Sequence, residues 1–239
     1  MLLDDPMNSK VNGQHRQREL ILAATAITRG ELVVYPTETL YALGADIRSE
    51  DAVQRVFRAK GRPRGKPLPV LIGAPEQLAM VTDHRDALLD RLIRDFWPGP
   101  LSILVPARVG LSPLLQDQQG FIAVRWTSHP TAQALAVQSS TPLTATSANT
   151  SGQSAASRPE HLDPKLTAAL FLEACSSPSP PSSQDESNSI KGMILKQPPY
   201  PAGGAPSTVV RILPDGRLKI FRLGAISLEQ LQQVGWEVG

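Results

Sequence analysis

The chain has 239 residues, 41% of them apolar, which fits one generous domain or two small ones and suffices to bury a core. Its formal net charge is only +2, so the whole molecule does not read as a nucleic-acid coat or a membrane-surface protein. The single cysteine, Cys175, excludes an internal disulfide and a multi-thiolate metal site, and His15, His84, His129 and His161 lack metal-ligand spacing.

Met1 to Val11 carries acids and a proline where a signal peptide needs a basic start and an apolar stretch. Residues 1–11 are therefore expected to form a disordered tail. No run approaches the roughly 18 apolar residues of a membrane helix, so a soluble, cytoplasmic protein without a membrane partner is expected. Gln14 to Arg29 has helical spacing, with Leu20, Ala24 and Ile27 on one face and Gly30 as a stop. Leu32 to Tyr35 is a short apolar strand ended by Pro36. Ser49 can cap a second helix that has Glu50 and Asp51 in its first turn and turns Val53, Val56 and Phe57 inward.

Leu68 to Ile72 is a further strand, and a helix near Arg85 to Phe96 stops at Pro98-Gly99. Strands at Leu101 to Val105 and Ile122 to Trp126 follow, then a helix near Thr131 to Gln138 and a strand at Leu143 to Thr146. Ser207 to Leu213 and Arg217 to Arg222 flank Pro-Asp-Gly, a hairpin signal, and Ser227 with Gln230 forms a capping box on a closing helix. Interleaved strands and helices predict a layered α/β (α+β) domain with a mixed sheet. The stretch Ser176 to Asn188, SSPSPPSSQDESN, and the proline- and glycine-rich Pro198 to Pro206 break the pattern. About 175–204 is therefore expected to be a flexible insertion, either loose or a lid over a site.

Four places carry possible chemistry. From Arg55 to Lys66 there are six cations and no acid, running off a helix into a Gly/Pro-shaped loop. Arg55 and Arg58 suit a helix C-terminus, whereas Lys60 to Lys66 project cations from a constrained backbone, as polyphosphate binding requires. No Walker loop is present. Thr144 to Gly152 sets hydroxyl and amide side chains directly after an apolar strand. There they face a ligand crevice or form a capped polar turn, the commoner use of such residues. Pro36 to Gly44 offers two threonines, an acid and a tyrosine, as a strand-to-helix connection or as donors and acceptors for a small polar ligand. Arg125 ends a buried strand and needs an anion, from a partner carboxylate or a substrate. No Ser-His-Asp order, Cys-His pair or GxGxxG stands out.

In order, PTETLYALG, AKGRPRGKPLPVLI, WPGPLSILV, AVR, SANTSG, PSTVV and FRLGAI resemble the YrdC family, the threonylcarbamoyl-AMP synthases that begin threonylcarbamoyl modification of tRNA. The resemblance runs from about Gln17 to Leu231, apart from the Ser/Pro stretch, and is to the short, single-domain form. It implies one YrdC-like catalytic domain over residues 12–239, a three-layer fold whose twisted parallel/antiparallel sheet surrounds a concave basic cavity. It also implies a nucleotidyltransferase, an L-threonylcarbamoyladenylate synthase acting on L-threonine, bicarbonate or carbon dioxide, and ATP, with Mg2+ on the phosphates and no protein metal ligand.

The family's Lys-x-Arg and Ser-x-Asn pairs fall on Lys60, Arg62, Ser147 and Asn149 as catalytic residues. By the same resemblance Arg62, Lys66, Ser147 and Arg222 would meet ATP, and Thr39, Arg125 and Ser207 would hold threonine. A downstream tRNA threonylcarbamoyl transferase complex, and tRNA or double-stranded RNA, are the implied partners. The sequence departs from the family pattern at Ala42, Leu71, Ala155-Ala156-Ser157, Arg211 and Leu223. These departures leave open a YrdC-like paralogue with another substrate. A non-catalytic module binding double-stranded RNA is the other alternative, against which the near-neutral charge and the 5% aromatic content weigh.

Overall fold

A computed structural model describes residues 6–173 and 192–239. In chain order the first half holds α1 (Pro6–Thr28), β1 (Val33–Pro36), β2 (Tyr41–Gly44), α2 (Glu50–Lys60), β3 (Val70–Ile72), α3 (Ala87–Phe96) and β4 (Leu101–Pro106). The second half holds β5 (Phe121–Trp126), α4 (Pro130–Gln138), β6 (Leu143–Thr144), β7 (Thr146–Ser147), α5 (Pro164–Glu173), β8 (Met193–Ile194), β9 (Thr208–Ile212), β10 (Leu218–Arg222) and α6 (Leu228–Gln233). None of the described helices is long and apolar enough to cross a membrane.

The strands form two mixed sheets, ordered β7-β2-β1-β8 and β10-β9-β4-β5-β3-β6. The pairs β1–β8, β3–β5 and β4–β9 are parallel and the others antiparallel. An isolated bridge from Asp46 to Leu143 ties the two sheets near β2 and β6. The predicted mixed pairing is present, but it is divided between two sheets.

All four residues of β1 are buried, which explains why its sequence is continuously apolar rather than alternating. Val33 and Tyr35 join Ala23, Ile27, Leu135 and Ala136 in a cluster under α1 and α4. Val34 turns the other way into the larger core with Leu43, Ile72, Leu101, Val124 and Leu218. The sheet is thus a middle layer buried on both faces.

Local signals act where the sequence places them. The Ser49 side chain accepts from the Ala52 amide, and Gly61 ends α2 at φ 56°, the left-handed conformation that glycine adopts without penalty. The Ser227–Gln230 capping box closes reciprocally on α6. The Pro-Asp-Gly turn joins β9 to β10, with a register shift between Ile220 and Arg222.

Two boundaries need correction. The backbone of α1 begins at Pro6, so residues 6–11 are helical rather than a disordered tail; residues 1–5 lie outside the described part. Of the expected insertion, residues 174–191, including Cys175, likewise lie outside it, but residues 192–204 are built into the fold. Met193–Ile194 adds a parallel edge strand to β1, the Leu195 amide donates to Val34 O at 2.8 Å, and the Leu195 side chain is buried. Ala202 and Gly203 donate to the carbonyls of Glu38 and Thr39 at 3.3 and 2.9 Å. Three apolar residues, Met193 to Leu195, find an open strand edge, and that outweighs the prolines after them.

Candidate active site

Between the two sheets lies a cavity of about 460 Å3. Its wall from the β1–β2 turn carries Thr37 and Thr39, and β5 and β7 contribute Arg125 and Ser147. The loop after α2 contributes Arg62, while Ser207 and Arg222 close the far side. Six residues singled out in the sequence, Thr39, Arg62, Arg125, Ser147, Ser207 and Arg222, therefore meet in one place. None of the described lining residues is acidic.

The β1–β2 turn is held by Thr37, whose hydroxyl donates to Leu40 O at 2.7 Å and lies 3.3 Å from that of Thr39. This hydroxyl pair faces the cavity because Thr37–Leu40 forms a tight hairpin turn. The stretch is therefore a hairpin, not the strand-to-helix connection weighed in the sequence.

Lys60 is only 2% exposed and does not line the cavity. Its ammonium donates to Ser147 O at 2.5 Å and also to Asn149 O. The Lys60 carbonyl in turn accepts from Ser151 at 2.9 Å. Burial first, then the positive charge of Arg62, pushes its pKa down to about 8, against a smaller upward pull from Asp163. Asn149 is also buried outside the cavity lining. Its amide nitrogen donates to Thr150 O and Gln153 O, while its Oδ1 has no partner among the described residues. Lys60 and Asn149 thus shape the loop that presents Ser147 rather than reaching into the cavity.

Arg62 is fixed by its own loop, with Nε donating to Lys66 O at 2.8 Å and Nη2 to Pro67 O at 3.0 Å. Lys66 itself is exposed, and its side chain is not part of the cavity wall. Across the cavity, Arg222 donates from Nε to Ser207 O and from Nη2 to Ser207 Oγ, both at 3.0 Å. Ser207 Oγ also lies 3.0 Å from Ser102 Oγ, so the two serines and the arginine form one linked unit. The Arg62 pKa is lowered by burial and then by Arg222, and the Arg222 pKa by burial and then by Arg125. Guanidiniums that repel one another in a cavity gain from an anion between them.

Arg125, 5% exposed, has a protein partner: Glu38 Oε1 lies 3.1 Å from its Nη1. The other Glu38 oxygen accepts from Thr127 Oγ1. Of the two anions the sequence left open for Arg125, the carboxylate partner is present, while the guanidinium still lines the cavity. Sequence reasoning did not assign Glu38, although an acid inside PTET was the available signal. It also left out Ser102 and Pro206, which reach the cavity wall from β4 and from the segment just before β9. Of the departures from the family pattern, Ala155 lines the cavity, whereas Leu71 is buried in the core under α1. Arg211 lies away from the cavity, over the rings of Phe121 and Phe221. No group of three or more His, Cys, Asp or Glu among the described residues could hold a metal ion.

A family model described as "Telomere recombination", that of the Sua5/YciO/YrdC domain, matches residues 25–224. The Bacillus subtilis protein named threonylcarbamoyl-AMP synthase is 37% identical over 145 residues, 60% of this chain and 42% of that protein. The Schizosaccharomyces pombe protein of the same name is 34% identical over 235 residues, 86% of this chain and 51% of that protein. The solved structure of Pyrococcus abyssi Sua5 complexed with L-threonine superimposes with a TM-score of 0.76 at 30% identity, covering 92% of this chain and 58% of that one. The chain thus spans about half the length of these relatives.

Proposed function

The chain belongs to the Sua5/YciO/YrdC family, and from that premise we propose that it is an L-threonylcarbamoyladenylate synthase. It would form threonylcarbamoyl-AMP and pyrophosphate from L-threonine, bicarbonate or carbon dioxide, and ATP, as a nucleotidyltransferase. The observation that carries this reading is the cavity in which Arg62, Arg125 and Arg222 converge with Thr39, Ser147 and Ser207 and no acidic lining. Such a set suits substrates that are anionic at both ends, and the Sua5 structure bound to L-threonine supports an amino acid as one of them.

The reaction proceeds in two stages. The amine of threonine adds to carbon dioxide and releases a proton, or to bicarbonate and releases water, giving a carbamate. A carbamate oxygen then attacks the α-phosphorus of ATP, and the bond to the bridging oxygen breaks to expel pyrophosphate. Arg62, Ser147, Arg222 and Lys66 are the proposed ATP contacts, and Thr39, Arg125 and Ser207 the proposed threonine contacts. The direct bonds from Arg222 to Ser207 support a nucleotide side and a threonine side that adjoin. The protein's task is alignment and neutralisation of developing charge, which needs no covalent nucleophile. Cationic and neutral wall residues suit magnesium only on the phosphate oxygens of the nucleotide, not on the protein. The product would pass to a tRNA threonylcarbamoyl transferase.

The test is ATP-dependent pyrophosphate release by the purified chain with bicarbonate, measured across the twenty amino acids. Release specific to threonine supports the synthase; release with a different amino acid or with none rejects it.

A further inference from the structure

Behind the cavity wall, outside its lining, His129 sits where β5 passes into α4. We infer that His129 is a positioning residue, whose imidazole anchors the Pro199–Ser207 wall of the cavity and so sets the threonine side of the site; this rests on the function proposed above.

The side chain belongs to a residue only 5% exposed, and its Nε2 lies 3.0 Å from Pro199 O. A carbonyl can only accept, so Nε2 carries the proton and Nδ1 is bare. That Nδ1 is buried and has no partner among the described residues. Burial lowers the His129 pKa, which favours the neutral ring this tautomer needs. Pro198 and Pro199 have no N–H, so the backbone there cannot donate to a neighbouring strand. The imidazole supplies an anchor from outside the segment.

From Pro199 the chain is tied directly to the site. Arg158 donates to Pro201 O at 3.1 Å, and the Ala202 and Gly203 amides hold Glu38 O and Thr39 O. Gly204, Pro206 and Ser207 then form cavity wall, and Ser207 receives both bonds from Arg222. On its other side, the His129 amide donates to Thr127 Oγ1 at 3.2 Å. That hydroxyl donates to Glu38, the partner of Arg125. One residue therefore joins the two walls that bear Thr39, Arg125 and Ser207.

The test compares His129→Ala, His129→Gln and His129→Asn in the full chain. The Gln amide nitrogen stands where Nε2 stands and can donate to Pro199 O, whereas the Asn amide reaches only the Nδ1 position. Two readouts are taken, hydrogen exchange at the Ala202 and Gly203 amides and steady-state pyrophosphate release. Losing one buried hydrogen bond is expected to speed exchange and raise the KM for threonine by about tenfold each in Ala and Asn, with kcat changing far less. Gln should recover most of both. Wild-type exchange and KM in Ala, or equal recovery by Gln and Asn, overturns the inference. Should Ala not fold, the Gln–Asn contrast decides. If the wild-type chain releases no pyrophosphate with threonine, the proposed function fails, and the exchange contrast alone still decides whether His129 anchors this wall.

Discussion

Lys60→Met replaces a buried ammonium by a side chain of similar length that neither donates nor carries charge. In the native fold the ammonium donates to the carbonyls of Ser147 and Asn149, and burial holds its pKa down at about 8 from the ordinary 10.5. A displacement of that size corresponds to about 3 kcal/mol against the charged form, which methionine relieves. Against this, two carbonyls lose their donor, at about 1–3 kcal/mol each. The opposing effects nearly cancel, so the net loss should stay below about 3 kcal/mol, a fall in Tm of no more than about 10 °C. Activity has no such compensation. Ser147 loses the tie that fixes its loop, and a misplacement of about 1 Å can cost about a hundredfold in rate.

Thermal melts and threonine-dependent pyrophosphate release on the same preparation test this. Activity within about threefold of wild type would refute the positioning role. Stability against pH gives a second check. Between about pH 8 and 10.5 the folded protein binds fewer protons at Lys60 than the unfolded chain does. Wild-type stability should therefore gain on that of Lys60→Met as pH rises through this window, by up to about 3 kcal/mol. Below pH 8 the full penalty of the buried charge is present, and a pH-independent difference would refute the argument.

Arg62→Ala removes a guanidinium that its own loop holds in the cavity, and should lower kcat/KM about a hundredfold in the pyrophosphate assay. Arg125→Ala leaves Glu38 as a buried carboxylate without its ion pair, and should both lower Tm and raise the threonine KM at least tenfold. Gly224→Ala would put a methyl 2.0 Å from Pro206 O and 2.7 Å from the Ser207 carbonyl carbon. Backbone must move, so calorimetry should show a lower Tm and kinetics a higher threonine KM. Ser227→Ala breaks the capping box of α6 outside the cavity lining, and should cost about 1 kcal/mol in urea unfolding without changing kinetics.

What could be read without a structure was local. The Ser49 cap, the Ser227–Gln230 box and the Pro-Asp-Gly turn each complete their hydrogen bonds within a few residues, so short windows contain all the information needed. The site residues were legible for a different reason: the order of seven motifs resembles a family, and six of the named side chains line one cavity. Lys60 was legible as a residue but not as a place, because whether this cation faces a cavity or a carbonyl depends on the loop 87 residues along the chain that packs over it.

The chain's own periodicity and punctuation determined its helices and most of its strands. Tertiary structure alone decided that the strands split into two sheets, that Met193–Ile194 pairs with β1 despite the prolines after it, and that Glu38 answers Arg125. It also decided that Gly224 is required where Ser207 passes. Each of these depends on a backbone edge or a charge supplied from a distant part of the chain. A buried ion pair, a strand edge and a close backbone contact gain their energy only after both sides are brought together, and no local pattern records the partner.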